Sequence, residues 1–308
     1  MDLYTAADVL ALKWVPGAGN VAVRLILECL RRHDAPLKTL LGKPLAELIS
    51  FFPSGQERLA EVLHACDARL QKRAAALIGK LEQASVLPVL CGTPAYPAVL
   101  ESHLGKAAPV LFFAQGNISL LYQAAAGIVG TRTPSRKGVC LARECARVFA
   151  ARGIPVVSGG ARGVDTAAHE AALEAAGSTL LILPQGILTF RASPRYETAL
   201  SDGALLLISE FAPEAEWQTH AAVTRNATIS ALSRLIMVIE PRSVNGSLRT
   251  ARHAVEQGKP VFYHGLGPAA RSLAHCPNTH PLTPVNPAVL LAAFHRPCAR
   301  PTPQNTLF

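Results

Sequence analysis

Between Ala126 and His264 the chain alternates short apolar runs with helix-length amphipathic stretches, and this rhythm limits the available folds more than any other feature. The runs are Gly127–Val129, Pro155–Ser158, Thr179–Leu183, Leu205–Ser209, Leu235–Glu240 and Pro260–Tyr263. Helices are expected between and beside them, over Gly138–Arg152, Asp165–Ala176, Pro194–Ser201, Asn226–Leu232 and Leu248–Gln257. The runs are apolar throughout instead of alternating with polar residues, as strands covered on both faces require. The pattern predicts an α/β fold with a mostly parallel sheet and helices on both faces. Ligands of such folds bind beyond the carboxyl ends of the strands, near the point where strand order reverses.

The flanks read differently. Residues 1–83 carry helical periodicity, in Ala7–Lys13, Val21–Arg31, Leu45–Phe52 and Gln56–Leu81, and are expected to form a small all-helical domain. Residues 84–265 are read as the α/β domain, with 84–125 as a connector holding one short strand, Val110–Ala114. Residues 266–308 are rich in proline and weakly periodic, and are expected to form a tail.

Composition narrows the function. Thirty Lys and Arg stand against 21 Asp and Glu, a net +9, and the last segment, 266–308, has three basic residues and no acidic one. That balance suits a polyanionic partner. There is no apolar stretch of transmembrane length and no basic leader at the start, so a cytoplasmic protein without membrane attachment is expected. The seven cysteines include no C-x-x-C pair and are odd in number, which argues against a disulfide framework. His275, Cys276 and His280 read as a Pro-bounded loop and not as a metal site; no metal and no cofactor are expected.

Two loops carry chemistry. Gly130-Thr131-Arg132 follows the first strand of the domain, and Arg136 and Lys137 open the next helix. Backbone N–H groups and the helix dipole there could hold a phosphate, with Arg132 as a bidentate clamp. The loop lacks both the G-x-G-x-x-G fingerprint and a Walker A sequence. The second loop is Ser158-Gly159-Gly160-Ala161-Arg162-Gly163, ahead of Asp165 and His169. Its glycines permit close backbone approach to a ligand. Asp165 and His169 read as a structural pair, a helix cap with a locally bonded histidine, in preference to an acid–base dyad.

In combination these motifs resemble the DprA/Smf DNA-processing family. V-G-x-R is followed about thirty residues later by S-G-x-A-x-G-V-D-x-x-A-H. Ser209-Glu210, Arg225-Asn226, Ile229-Ser230 and Gly246-Ser247 then fall in the family's order. The resemblance covers roughly residues 87–264. It implies a Rossmann-like domain that binds and protects single-stranded DNA, assists loading of the RecA recombinase in recombination or natural transformation, forms homodimers and has no catalytic role. The residues it implies for DNA or phosphate are Gly130, Thr131, Arg132, Arg136, Lys137, Ser158, Gly159, Gly160, Arg162, Gly163, Arg225, Asn226, Gly246 and Ser247. Arg225 is placed at the opening of its helix. Where the family carries an aromatic and a proline before Arg-Asn, this chain has Ala222 and Val223; where it has a second arginine, Ala227. No winged-helix domain is expected in the short tail.

Three further readings complete the sequence. Trp14-Val15-Pro16-Gly17-Ala18-Gly19 resembles a helix-hairpin-helix turn, so the first domain is expected to be SAM/helix-hairpin-helix-like. The last residues, Gln304-x-x-Leu307-Phe308, resemble the short peptide by which bacterial proteins dock on the replicative sliding clamp. The rival to DNA binding is a nucleotide-binding or nucleotide-cleaving protein of the same superfamily, for which Glu210 and Glu240 at strand ends would be candidate carboxylates. The P-G-G-x-G-T-x-x-E stretch of such enzymes has no counterpart here.

Overall fold

The computed structural model describes residues 3–242, 246–282 and 284–296. They fall into two compact units, the first made of the described residues up to 101 with 105–113, the second of 102–104 with the described residues from 114 onward.

The first unit opens with α1 (Ala6–Lys13), α2 (Asn20–Arg32), α3 (Leu45–Phe51), α4 (Glu57–Ala65) and α5 (Ala68–Gln83). Thr5 and Asp8 start α1 with a reciprocal capping box. The turn between α1 and α2 places Gly17 at φ +82°, a conformation that favours glycine. The long helix expected over Gln56–Leu81 is two helices. Asp67 accepts a hydrogen bond from the Leu70 N–H at 2.8 Å and so starts α5 afresh. The region read as a connector holds β1 (Val86–Leu90), α6 (Ala98–Leu104) and β2 (Leu111–Gly116), so the helical domain does not end the first unit.

The second unit continues with β3 (Ala125–Gly130), α7 (Arg136–Ala150), β4 (Val156–Ser158), α8 (Val164–Glu174), β5 (Thr179–Ile182), α9 (Pro194–Ser201) and β6 (Leu205–Ser209). Next come α10 (Thr219–Leu232), β7 (Ser233–Ile239), α11 (Ser247–Glu256), β8 (Val261–His264), α12 (Pro268–Leu273), β9 (Thr279–Pro281) and α13 (Pro287–His295). Its strands run in the order β6-β5-β4-β3-β7-β8-β9, each pair parallel. Strand order therefore reverses between β3 and β7, whose registers align Gly130 with Ile239. Ala126, Ile128, Leu235, Met237 and Ile239 face a buried cluster filled by α7, α8 and α13. Helices α10 and α11 pack on the sheet outside that cluster. Among the described residues no helix is long and apolar enough to cross a membrane.

The tail boundary needs correction. Residues from Pro268 to His295 add a strand and two helices to the sheet unit, and Phe294 packs on Phe149 with ring centroids 5.7 Å apart. Pro268 and Pro287 stand in the first turns of α12 and α13. A proline lacks only an N–H that the first turn leaves unbonded anyway, so prolines here start helices. Gln304, Leu307 and Phe308, with the clamp-like motif, lie outside the described residues.

Candidate nucleic-acid interface

The carboxyl ends of β3, β4, β5 and β7 open onto two adjoining cavities of about 410 and 360 Å³. Arg132, Ala161, Ala222 and Arg225 border both. The larger is completed by the glycine loop after β4, the Leu183-Pro184-Gln185 turn after β5, and two aromatic side chains, Phe190 and Trp217. The smaller lies at the reversal point and is lined by Gly130, Thr131, Asn226, Arg242, Gly246 and Ser247, among others.

The backbone geometry explains the glycines. A Cβ on Gly130 would sit 2.3 Å from the Ile239 carbonyl oxygen and 2.6 Å from Val164, so only glycine lets β3, β7 and α8 converge. Gly163, at φ +96°, precedes α8 and brings the loop against Thr131, whose carbonyl accepts from the Val164 N–H at 3.2 Å. Arg132 is exposed at the tip of its loop, and its guanidinium lies 5.9 Å from the Trp217 ring centroid. Arg162 is also exposed, on the rim of the larger cavity.

Several expected ligands have other duties. Ser158 is wholly buried and its hydroxyl donates to the Ile128 carbonyl at 2.5 Å, so it ties β4 to β3 and offers nothing to a phosphate. Arg225 does not open its helix. α10 begins at Thr219, after Gln218, which makes no side-chain cap, and that weak start hid the first turn from the sequence. Arg225 is 4 % exposed, and its guanidinium is 4.0 Å from the Asp165 carboxylate. A Cβ on Gly159 would overlap the guanidinium, so that glycine makes room for the arginine as well as for any ligand. Burial pushes the Asp165 carboxyl up and the Arg225 guanidinium down, and each charge opposes the shift of the other.

Asp165 does not cap α8. It lies inside the helix, which has no side-chain cap, and accepts from the backbone N–H groups of Gly159 and Ala161 at 3.3 and 3.4 Å. Its carboxylate braces the glycine loop. His169 is locally bonded, but to Thr179 on β5 at 2.6 Å and not to Asp165.

The N-terminus of α7, expected to receive phosphate, already holds an anion from the chain itself. Ser135 caps the helix by accepting from the Gly138 N–H at 3.0 Å. The Glu240 carboxylate accepts from the Ser135 N–H at 2.8 Å and from its hydroxyl. Burial raises the Glu240 carboxyl, but the Ser135 bonds together with His264 and Arg242 bring it below the usual range. Arg136 is exposed on the first turn of α7. Lys137 borders a third cavity, of about 940 Å³, near the ends of β7 and β8 with Arg252, His264 and Leu266. Asn226 donates to the Gly246 carbonyl at 3.5 Å, joining α10 to the loop before α11.

The sequence reading missed Trp217, Phe190 and Arg242. Arg242 donates to the Thr133 hydroxyl at 2.9 Å across the reversal point. All three follow strand ends, and a tryptophan in a Glu- and Pro-containing loop was the available signal. Among the described residues no three His, Cys, Asp or Glu side chains are grouped to hold a metal.

A Rossmann-like sheet unit with an arginine-lined crevice at the reversal of strand order is the class that fold and site define. The family model for DNA recombination-mediator protein A matches residues 88–279, and the chain belongs to that family. It is 34% identical to protein Smf of Escherichia coli K12 over 177 residues, 57% of this chain and 44% of that protein. It is 34% identical to DNA processing protein DprA of Bacillus subtilis over 171 residues, 54% of this chain and 56% of that protein. The chain thus spans about half the length of the curated relatives it matches. The fold is similar to the crystal structure of DNA processing protein A from Streptococcus pneumoniae, with a TM-score of 0.71, 24% identity, and coverage of 94% of this chain and 98% of that one. It is also similar to DNA processing protein A of Helicobacter pylori, a structure concerned with that protein's single-stranded DNA binding, with a TM-score of 0.56, 23% identity, and coverage of 67% and 94%.

Proposed function

We propose that the chain binds single-stranded DNA along the crevice at the ends of β3, β4 and β7, protects the strand, and assists RecA loading in recombination or transformation. The observation that carries this reading is the pair of adjoining cavities sharing Arg132 and Arg225. Each is on the scale of one small ligand. A ligand that fills both is longer than one mononucleotide, and the exposed Arg132 and Arg162 favour a polyanion. The single-stranded DNA bound by the Helicobacter pylori relative supports the same class of ligand. The crevice is read as a binding site without turnover. The carboxylates nearest it are engaged by their own chain: Asp165 by the glycine loop, Glu240 by Ser135, and Glu210 by the Thr228 hydroxyl at 3.0 Å.

The test is a salt titration with oligonucleotides of increasing length, with duplex and mononucleotides as controls. Affinity for single strands should rise with length and fall steeply with salt. Equal affinity for a mononucleotide and a dodecamer would replace this reading with a small-nucleotide receptor. Homodimer formation and docking on the sliding clamp belong to the same proposal. They are tested by sedimentation and by clamp binding of a peptide of residues 297–308.

A further inference from the structure

Trp217 is 46 % exposed, in the loop between β6 and α10, and faces a cavity instead of the core. A tryptophan carries one of the largest apolar surfaces of any side chain, and leaving half of it in water forgoes much of its burial energy. Its place is nevertheless fixed. The Gly186 N–H donates to the Ala215 carbonyl at 2.8 Å, the Leu188 N–H to Pro213 at 3.0 Å, and the Thr189 hydroxyl to Ala215 at 3.0 Å. These bonds lace the loop that carries Trp217 to the turn that carries Phe190. A Cβ on Gly186 would lie 2.3 Å from two carbonyl oxygens of that loop, so the close approach depends on glycine. Two aromatic side chains are thus held in one cavity, with Arg132 and Arg162 on its rim. Ala222, also in the lining, contributes only a methyl group, which leaves room for a flat ligand.

We propose that Trp217 is a stacking platform for one nucleobase of the bound strand, with Phe190 walling the same subsite and Arg132 holding the adjoining phosphate. This rests on the reading of the crevice as a single-strand site and names the group that occupies its larger cavity. Cation and ring lie close enough for the guanidinium to steer a phosphate while the ring receives the base. Stacking accepts any base, because each has a π face, but not a base already enclosed in a duplex. The subsite therefore supplies strand selectivity without sequence selectivity.

The chain has two tryptophans, so the Trp217 signal is the fluorescence difference between the native protein and Trp217→Phe. Titration with a thymidine dodecamer should quench that difference signal, and an abasic dodecamer should bind more weakly without quenching it. Trp217→Ala should lose about 5- to 150-fold in affinity, Trp217→Phe should recover most of it, and the salt slope should stay unchanged. If the dodecamer binds but the abasic strand and Trp217→Ala match the native complex, the stacking site is refuted while strand binding stands. If neither strand binds the native protein, both this inference and the reading beneath it fail.

Discussion

The Arg225 guanidinium faces the Asp165 carboxylate at 4.0 Å, each side chain shielded from solvent and the pair set directly behind the glycine loop of the crevice. Desolvating two charges is costly, and their attraction offsets that cost only while both are present. Arg225→Ala should therefore lower folding stability by about 3–5 kcal/mol, leaving a buried carboxylate alone. Gly159→Ala should also be strongly destabilising, because its methyl overlaps the guanidinium. Urea denaturation of both variants checks this. A folded, fully stable Arg225→Ala protein with weakened DNA binding would instead make Arg225 a direct phosphate ligand.

That pair also shows how far the sequence could be read. The strands of a parallel sheet and both glycine loops were legible, because uninterrupted apolar runs and short Gly-rich turns have local causes; the order of the strands was not, because pairing is set between segments far apart in sequence. The pairing of Arg225 with Asp165, sixty residues earlier, was not legible, because only the fold creates that contact. The partners of Ser158 and Glu240 were hidden in the same way: one serves β3, the other the start of α7, and neither partner is near in sequence. The helices α12 and α13 were missed because prolines that begin helices look like prolines that prevent them. Trp217 carried no periodicity to mark it.

Arg132 is the converse case. It is exposed, and its ring contact with Trp217 is on the cavity side. Arg132→Ala should leave the urea midpoint nearly unchanged, as surface substitutions usually do. Affinity for a single-stranded dodecamer should fall at least about tenfold, and the salt slope should shrink by about one phosphate. Undiminished binding by the folded variant would remove this loop from the interface.

Ser135 separates a helix end that is structural from one that receives ligand. Ser135→Ala loses the cap on α7 and a donor to Glu240, so stability should fall by about 0.5–2 kcal/mol. DNA affinity should stay within about threefold, since the Glu240 carboxylate already occupies the position an incoming phosphate would need. A larger loss of affinity in the folded variant would place phosphate at this end after all.

His169 ties acid stability to a single tautomer. The Thr179 hydroxyl donates its one proton to the Val156 carbonyl at 2.7 Å, so Nδ1 of His169, 2.6 Å away, carries a proton and donates to the Thr179 oxygen. Nε2 is then the unprotonated nitrogen, and it is buried without a partner. Protonating it would place an unpaired charge in the core near Arg225, and burial with that arginine pushes the imidazole down to about 3. In the unfolded chain the same group titrates near 6.5. The folded value is the lower one, so the unfolded state takes up the proton first. Stability is complete above about pH 6.5 and declines as pH falls toward 3, by about 1.4 kcal/mol per pH unit. Between pH 6.5 and 5 the loss from His169 should be about 2 kcal/mol. Asp165, whose carboxyl is raised, acts in the opposite sense at lower pH, so the informative quantity is the slope of native protein against His169→Gln. Urea midpoints measured between pH 7 and 5 should decline steeply for the native protein and more gently for the variant. Parallel slopes would show that His169 takes up its proton at the same pH in the folded protein as in the unfolded chain, and that burial does not shift it.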